Sequence, residues 1–189
     1  MPPSSLILAS ASPRRRELLT WAGLEFDTAL VQVSEEALAG ESPVELVRRL
    51  ALAKAEAAAR PRPGAWILGA DTVVVLDGLI MGKPVDRTEA ALMLGRLSGR
   101  THQVLTGICL LHRDANRLFL DHVATAVEFR TLSELDIRLY LDSGEAWDKA
   151  GAYAIQGRGA ALIKTIQGSY TNVIGLPLAE VLGWIKSLA

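Results

Sequence analysis

Apolar and polar positions along this chain follow two rhythms, a helical one and an extended one, and they take turns. Leu6-Ile7-Leu8-Ala9 is a short apolar run of strand length. Ser12 then offers an N-cap and Pro13 a first helical residue; Leu18, Leu19 and Ala22 give that helix an inward face and Gly23 stops it. Phe26 to Val33 reads as a second strand, followed by the acidic loop Ser34-Glu35-Glu36. Ser42-Pro43-Val44-Glu45 is a capping box that opens a helix running to about Ala59, with Val47, Leu50, Ala51 and Lys54 on its inward stripe. Trp66 to Leu76 reads as a central strand, and Asp77-Gly78 as a two-residue hairpin turn. Folding back on that turn sets Leu79 opposite Leu76 and, in an unbroken ladder, Lys83 opposite Thr72, although Pro84 is placed to end the pairing there.

Asp86 caps the next helix, which turns Ala90, Ala91, Met93, Leu94 and Leu97 inward and stops at Ser98-Gly99. His102 to His112 and Leu118 to Phe129 are long strand patterns joined at Asp114-Ala115-Asn116, which predicts an antiparallel pair. A helix from Ser133 presents Leu135, Leu139 and Tyr140 and ends near Ser143-Gly144. Ala161 to Ile166 is a strand, Gly168 to Asn172 a turn or loop, and Pro177 opens a terminal helix with Leu178, Val181, Leu182 and Ile185 facing in. Strands alternating with helices predict an α/β fold.

Composition narrows the classes. With 189 residues, 50% hydrophobic and 22% charged, the chain can fill one core or two small lobes, and its composition argues against disorder. A net charge of −1 and 5% aromatics argue against a nucleic-acid-binding module, so any anion site is local. Cys109 is the only cysteine, which rules out an internal disulfide and a thiolate zinc cluster and fits a reducing cytoplasm. No run approaches membrane-span length, and no basic segment precedes an apolar signal core.

Four features stand out chemically. A helix N-terminus favours acids in its first turn, yet here that turn holds Arg14 and Arg15, with Arg16 next. Two readings stand: three solvated arginines, or a phosphate-bearing ligand held by guanidinium groups and backbone N–H groups. Lys54 lies on an apolar stripe, either as a snorkelling edge lysine or as an ammonium aimed inward. Asp71 stands mid-strand between apolar neighbours, where an ionised group is costly unless paired, metal-bound or at a cleft. Asp148 to Gly159 is rich in small residues and contains Gln156, an amide suited to the edge of a base. His102, His112 and His122 lack metal-ligand spacing and read as strand residues. Gly78 to Lys83 falls one residue short of a P-loop, and no nucleophile elbow is present. Cations that clamp phosphates, beside acids that hold a magnesium ion or direct a water, suit a nucleoside triphosphate with a divalent metal.

Leu8 to Arg15, Glu35-Glu36, Lys54, Gly69-Ala70-Asp71-Thr72, Gly82-Lys83-Pro84, Leu97 to His102 and Gly168 to Pro177, in this order, resemble the Maf family of nucleoside triphosphate pyrophosphatases over essentially the whole chain. The resemblance implies a single domain over residues 1–189, with an elongated, mixed, twisted sheet flanked by helices and a cleft between two lobes, as in inosine triphosphatase-like proteins. It implies hydrolysis between the α and β phosphates, a divalent ion (Mg2+ or Mn2+) and a homodimer. By position, Asp71 matches the proton acceptor; Arg14, Thr72 and Gln156 match substrate-choice positions. Ser10, Arg15, Lys54 and Lys83 match phosphate-side positions. Glu36 matches the acidic metal-side position, which Asp71 would share, with Glu35 the alternative. Asp148 to Gly157 is similar to the branch acting on dTTP and UTP, including modified pyrimidine nucleotides, in contrast to the branch directed at 7-methyl-GTP. The family's link to septum formation implies a competing role, a nucleotide-binding regulator of cell division.

Overall fold

A computed structural model describes residues 5–188. Among the described residues, seven strands form one mixed sheet in the order β2-β1-β3-β5-β6-β7, with β4 paired to β3. In chain order, β1 (Leu6–Ala9), α1 (Pro13–Trp21), β2 (Asp27–Thr28), α2 (Pro43–Ala59), β3 (Trp66–Leu76) and β4 (Leu79–Met81) come first. They are followed by α3 (Arg87–Leu97), β5 (Thr101–His112), β6 (Arg117–Phe129), α4 (Glu134–Asp142), β7 (Ile163–Gln167), α5 (Tyr170–Ile174) and α6 (Leu178–Lys186). No helix among the described residues is long and apolar enough to cross a membrane.

The chain divides into two compact units. The first comprises residues up to Asp71, Thr106–Val123 and those from Gly175 onward; the second comprises Thr72–Leu105 and Ala124–Ile174. In the first unit, β1 pairs in parallel with both β2 and β3, with Ala9 beside Gly69. Its core gathers Ile7, Ala9, Ala51, Ala55, Ala58, Ala59, Ile67 and Cys109. So many alanines mean that α2 lies close to the sheet, and two strand glycines permit the approach. A Cβ on Gly69 would stand 2.2 Å from the Ala51 carbonyl oxygen, and one on Gly107 would stand 2.1 Å from that of Val47.

In the second unit, α3, α4 and the ends of β3, β5 and β6 enclose Val74, Met93, Leu94, Leu97, Val104, Phe129 and Tyr140. The hairpin pairs Leu76 with Leu79 as its turn sequence requires, with Asp77 and Gly78 both at positive φ. A buried His102 belongs to this core. Its Nε2 lies 2.7 Å from the Tyr153 hydroxyl, and its ring packs edge-on against Phe129 and Tyr153. Burial pushes the His102 pKa down to about 4.

The caps at Ser12, Ser42, Asp86 and Ser133 form as the sequence predicts. Several other expectations fail. The strand expected from Phe26 to Val33 shrinks to Asp27–Thr28, because only Ala29 of the following apolar residues is buried and Leu30 is 80% exposed. Strand pairing in the hairpin stops at Met81 opposite Val74, so Lys83 never reaches a ladder position across from Thr72. Leu135 and Leu139 face solvent at more than half exposure, while Tyr140 and Leu141 carry the buried face of α4. Part of the turn expected over residues 168–172 is the start of the short helix α5.

Two outcomes test this packing. Gly69→Ala should lower unfolding stability by about 1–3 kcal/mol, the usual range for overpacking; denaturant melts that match wild type would show that α2 has room to retreat. For His102, the unfolded chain takes up a proton near pH 6.5 while the folded chain resists until about pH 4. Stability should therefore fall across that window, by about 3 kcal/mol in total, and no further from this group below it. His102→Gln does not titrate and can still meet the Tyr153 hydroxyl. Parallel pH–stability profiles for the two proteins would refute this account.

Candidate active site

The first unit assembles its charged side chains just past the C-terminal end of β1 and at Asp71, midway along the neighbouring β3. In open α/β sheets, the loop after the carboxyl end of a strand such as β1 is the usual ligand-binding place. Ser10 follows β1 directly. Its hydroxyl oxygen accepts from the Ser12 N–H at 3.2 Å and from Arg15 Nη1 at 3.2 Å, while Ser12 caps the helix by accepting from the Arg15 N–H. Arg15 is buried, and its Nε donates to the Gly175 carbonyl at 2.7 Å. Burial lowers its pKa; Asp71 and Glu35 oppose that change, and Arg14 adds to it. The first turn of α1 contains no acid, so its positive end is reinforced by arginine rather than offset.

Asp71 reaches the same region by strand periodicity. Gly69 and Asp71 share one face of β3. Gly69 meets the backbone of α2 at Ala51 and Ala55, and Asp71, two residues on, meets Lys54 of the same helix. Lys54 Nζ donates to Asp71 Oδ1 at 2.6 Å and to Glu35 Oε1 at 2.6 Å. Lys54 and Asp71 are each under 10% exposed. Hence the mid-strand acid is paired, and the lysine on the apolar stripe is its partner rather than an edge residue.

The acidic loop is pinned from α2. Arg49 donates to both Glu41 carboxylate oxygens and, through Nη2, to the Glu36 carbonyl at 2.9 Å. Hydrogen bonds from Arg49 hold the Glu41 pKa down to about 2. With its backbone held this way, the loop sends the Glu35 carboxylate to Lys54, and both Glu35 and Glu36 are exposed to solvent.

Of the residues singled out in the sequence, Ser10, Arg15, Lys54 and Asp71 therefore come together in one unit, with Arg14 beside them. Thr72, Lys83 and Gln156 belong to the second unit. There Thr72 is half-buried on β3, Lys83 is exposed beyond the end of β4, and Gln156 is half-buried in the segment between Ala150–Ala152 and Gly157–Leu162, which form 3-10 turns. Glu35 and the Gly175 carbonyl are participants that periodicity does not single out. Adjacent acids in a polar loop look alike in sequence, and a backbone carbonyl leaves no residue-type signal; Gly175 enters only as part of the Gly168 to Pro177 stretch, and in the structure it sits at φ +123°.

The family model described as Maf-like protein matches residues 5–188. The chain belongs to that family. A relative from Symbiobacterium thermophilum named dTTP/UTP pyrophosphatase is 57% identical over 173 residues, covering 92% of this chain and 88% of the relative. Relatives of the same name from Geobacter sp. and Clostridioides difficile are 50% and 49% identical, covering 97% and 94% of this chain and 95% and 91% of their own. Among solved structures, a HAM1 protein from Coxiella burnetii superposes with a TM-score of 0.56 at 17% identity, covering 98% of this chain and 99% of that one. At that identity the likeness concerns the fold. It agrees with the mixed sheet flanked by helices that the resemblance implies.

The buried pair in this Maf-like chain makes a stability prediction. Lys54→Met leaves Asp71 buried without its ammonium and should cost about 3 kcal/mol, the range for breaking a buried ion pair from one side. Adding Asp71→Asn in the same chain should recover most of that loss. A double variant as unstable as the sum of the two single variants would show that the residues do not act as a pair.

Proposed function

We propose that this chain hydrolyses dTTP, UTP and modified pyrimidine nucleoside triphosphates to the monophosphate and pyrophosphate, clearing unwanted nucleotides. The observation that carries the proposal is the buried trio Arg15, Lys54 and Asp71 beside the arginine-bearing end of α1, with the solvent-exposed Glu35 carboxylate bonded to Lys54. The names of the relatives, each about half or more identical over nearly the whole chain, supply the substrates.

The residues fit a divalent ion. Two carboxylates already converge on one cation, the Lys54 ammonium, and both offer the hard oxygen donors that Mg2+ and Mn2+ prefer. Among the described residues no three His, Cys, Asp or Glu side chains group as a ligand cage. Magnesium commonly takes one or two carboxylates and fills the remainder with phosphate and water. Asp71 and Glu35, which already meet at Lys54, would hold the ion; Glu36, the position matched by resemblance, is the alternative. When bound, the ion would neutralise phosphate charge and make water more acidic.

The remaining chemistry falls to the chain. Arg14, Arg15 and Lys54, three cations against two carboxylates, leave a net positive charge suited to a polyphosphate, and Lys83 adds a fourth cation in the second unit. These groups would offset charge developing on the leaving pyrophosphate. Asp71 would accept the proton of the attacking water. A carboxylate is a weak base toward water, so neutralisation of the phosphate is what makes that step accessible. Gln156 would meet the base, with Arg14 and Thr72 contributing to substrate choice and Ser10 aligning Arg15. The proposed setting is the cytoplasm and the proposed assembly a homodimer, which light scattering tests directly.

Asp71→Asn keeps the side-chain size and hydrogen bonding but removes charge and basicity. It should fold, bind dTTP at least as tightly as wild type and lose turnover by about 10²-fold or more, the low end for a general base. Pyrophosphate release measured with magnesium and with manganese over a panel of nucleotides, including 7-methyl-GTP, checks both substrate and role. Near-normal turnover in the variant would move the proton acceptor elsewhere. Tight dTTP binding by wild type without pyrophosphate release would favour a nucleotide-binding regulator.

A further inference from the structure

Gln156 makes no capping bond to the 3-10 turn that follows it, so its place depends on its neighbours. On the N-terminal side, the Ala154 N–H donates to the Tyr140 hydroxyl at 3.1 Å, and the Tyr153 hydroxyl meets buried His102 at 2.7 Å. On the C-terminal side stands one carboxylate. Glu145 accepts the Arg158 N–H at 2.9 Å through Oε2 and at 3.1 Å through Oε1, and the Gly159 N–H at 3.3 Å. Gly157 lets the chain wrap over it: its φ is +64°, and a Cβ there would lie 2.7 Å from Glu145 Oε1. Main-chain N–H groups are held more strongly by a charged acceptor than by a neutral one. A segment of small residues with a glycine directly after Gln156 would otherwise visit many conformations.

We propose that Glu145 is a positioning residue for base selection, holding the Gln156 amide in place through the backbone of Arg158 and Gly159. The proposal rests on the reading that Gln156 meets the base. Lys83 is secured by other means: its neighbour Gly82 accepts the Gly151 N–H at 3.0 Å, on the far side of the Tyr153 anchor. Loss of Glu145 should therefore act on discrimination between bases more than on the phosphate-dependent step.

The test compares Glu145→Ala and Glu145→Gln with wild type. Glu145→Ala should raise KM for dTTP about tenfold while changing kcat much less, and should cut the preference for dTTP over dGTP by about the same factor. Amide exchange at Arg158 and Gly159 should quicken in the same variant. The side-chain carbonyl of Glu145→Gln still accepts an N–H, so this variant should recover most of the preference. An equal KM rise on both nucleotides, or an unchanged preference with faster exchange, would overturn the proposal. Calorimetric titration with dTMP and dGMP separates it from the hydrolytic reading. A wild type that prefers dTMP, and a Glu145→Ala that does not, would support the inference even without turnover. A wild type that binds both alike would overturn it.

Discussion

The close passage of α2 across β3 and β5 is the constraint on which the first unit depends. Gly69 and Gly107 place no side chain of their own against α2, so at these two positions the helix backbone presses against the strands. That approach brings Lys54 within hydrogen-bond distance of a carboxylate buried in the sheet. An ammonium or a carboxylate alone would be expensive there; together, with Glu35 from the loop, each satisfies the other. The same stripe of α2 that fills the core with alanine thus delivers the charge. Packing and chemistry here are one arrangement, not a scaffold with a site added to it.

The caps were legible because each is a local bargain between a side-chain oxygen and nearby N–H groups, and Ser12, Ser42, Asp86 and Ser133 announce it in sequence. Lys54 and Asp71 were legible singly, as charges in apolar patterns, but not as a pair. Their meeting depends on the distance between helix and strand, which the small size of Gly69 sets and hydrophobic periodicity does not encode. Phe26 to Val33 carried a strand-like composition but lacked a burial partner beyond β1, so only two residues pair. In α4 the leucines at 135 and 139 suggested an inward face, yet Tyr140 and Leu141 carry it; side-chain hydrophobicity alone did not decide which stripe was covered.

The acidic loop shows a third kind of limit. Glu35 and Glu36 are chemically equivalent neighbours, and the distinction between them is made by Arg49, which holds the Glu36 carbonyl and the Glu41 carboxylate at once. The guanidinium fork fixes the backbone, and the backbone direction then determines which acid faces Lys54. Such selection by a remote residue is invisible to motif matching, since the motif contains both acids and the deciding arginine lies outside it.

The hydrogen bond from Arg15 to the Gly175 carbonyl joins residues 160 positions apart. The first unit is assembled from three separate stretches, the last beginning at Gly175. During synthesis, the arginine-bearing helix emerges 160 residues before the carbonyl that fixes its buried guanidinium. The arginine-bearing end of the first unit therefore cannot be completed until Gly175 has been made. Any shortened product that ends before Gly175 would lack that anchor, so the fixed position of the buried guanidinium depends on translation reaching the third stretch.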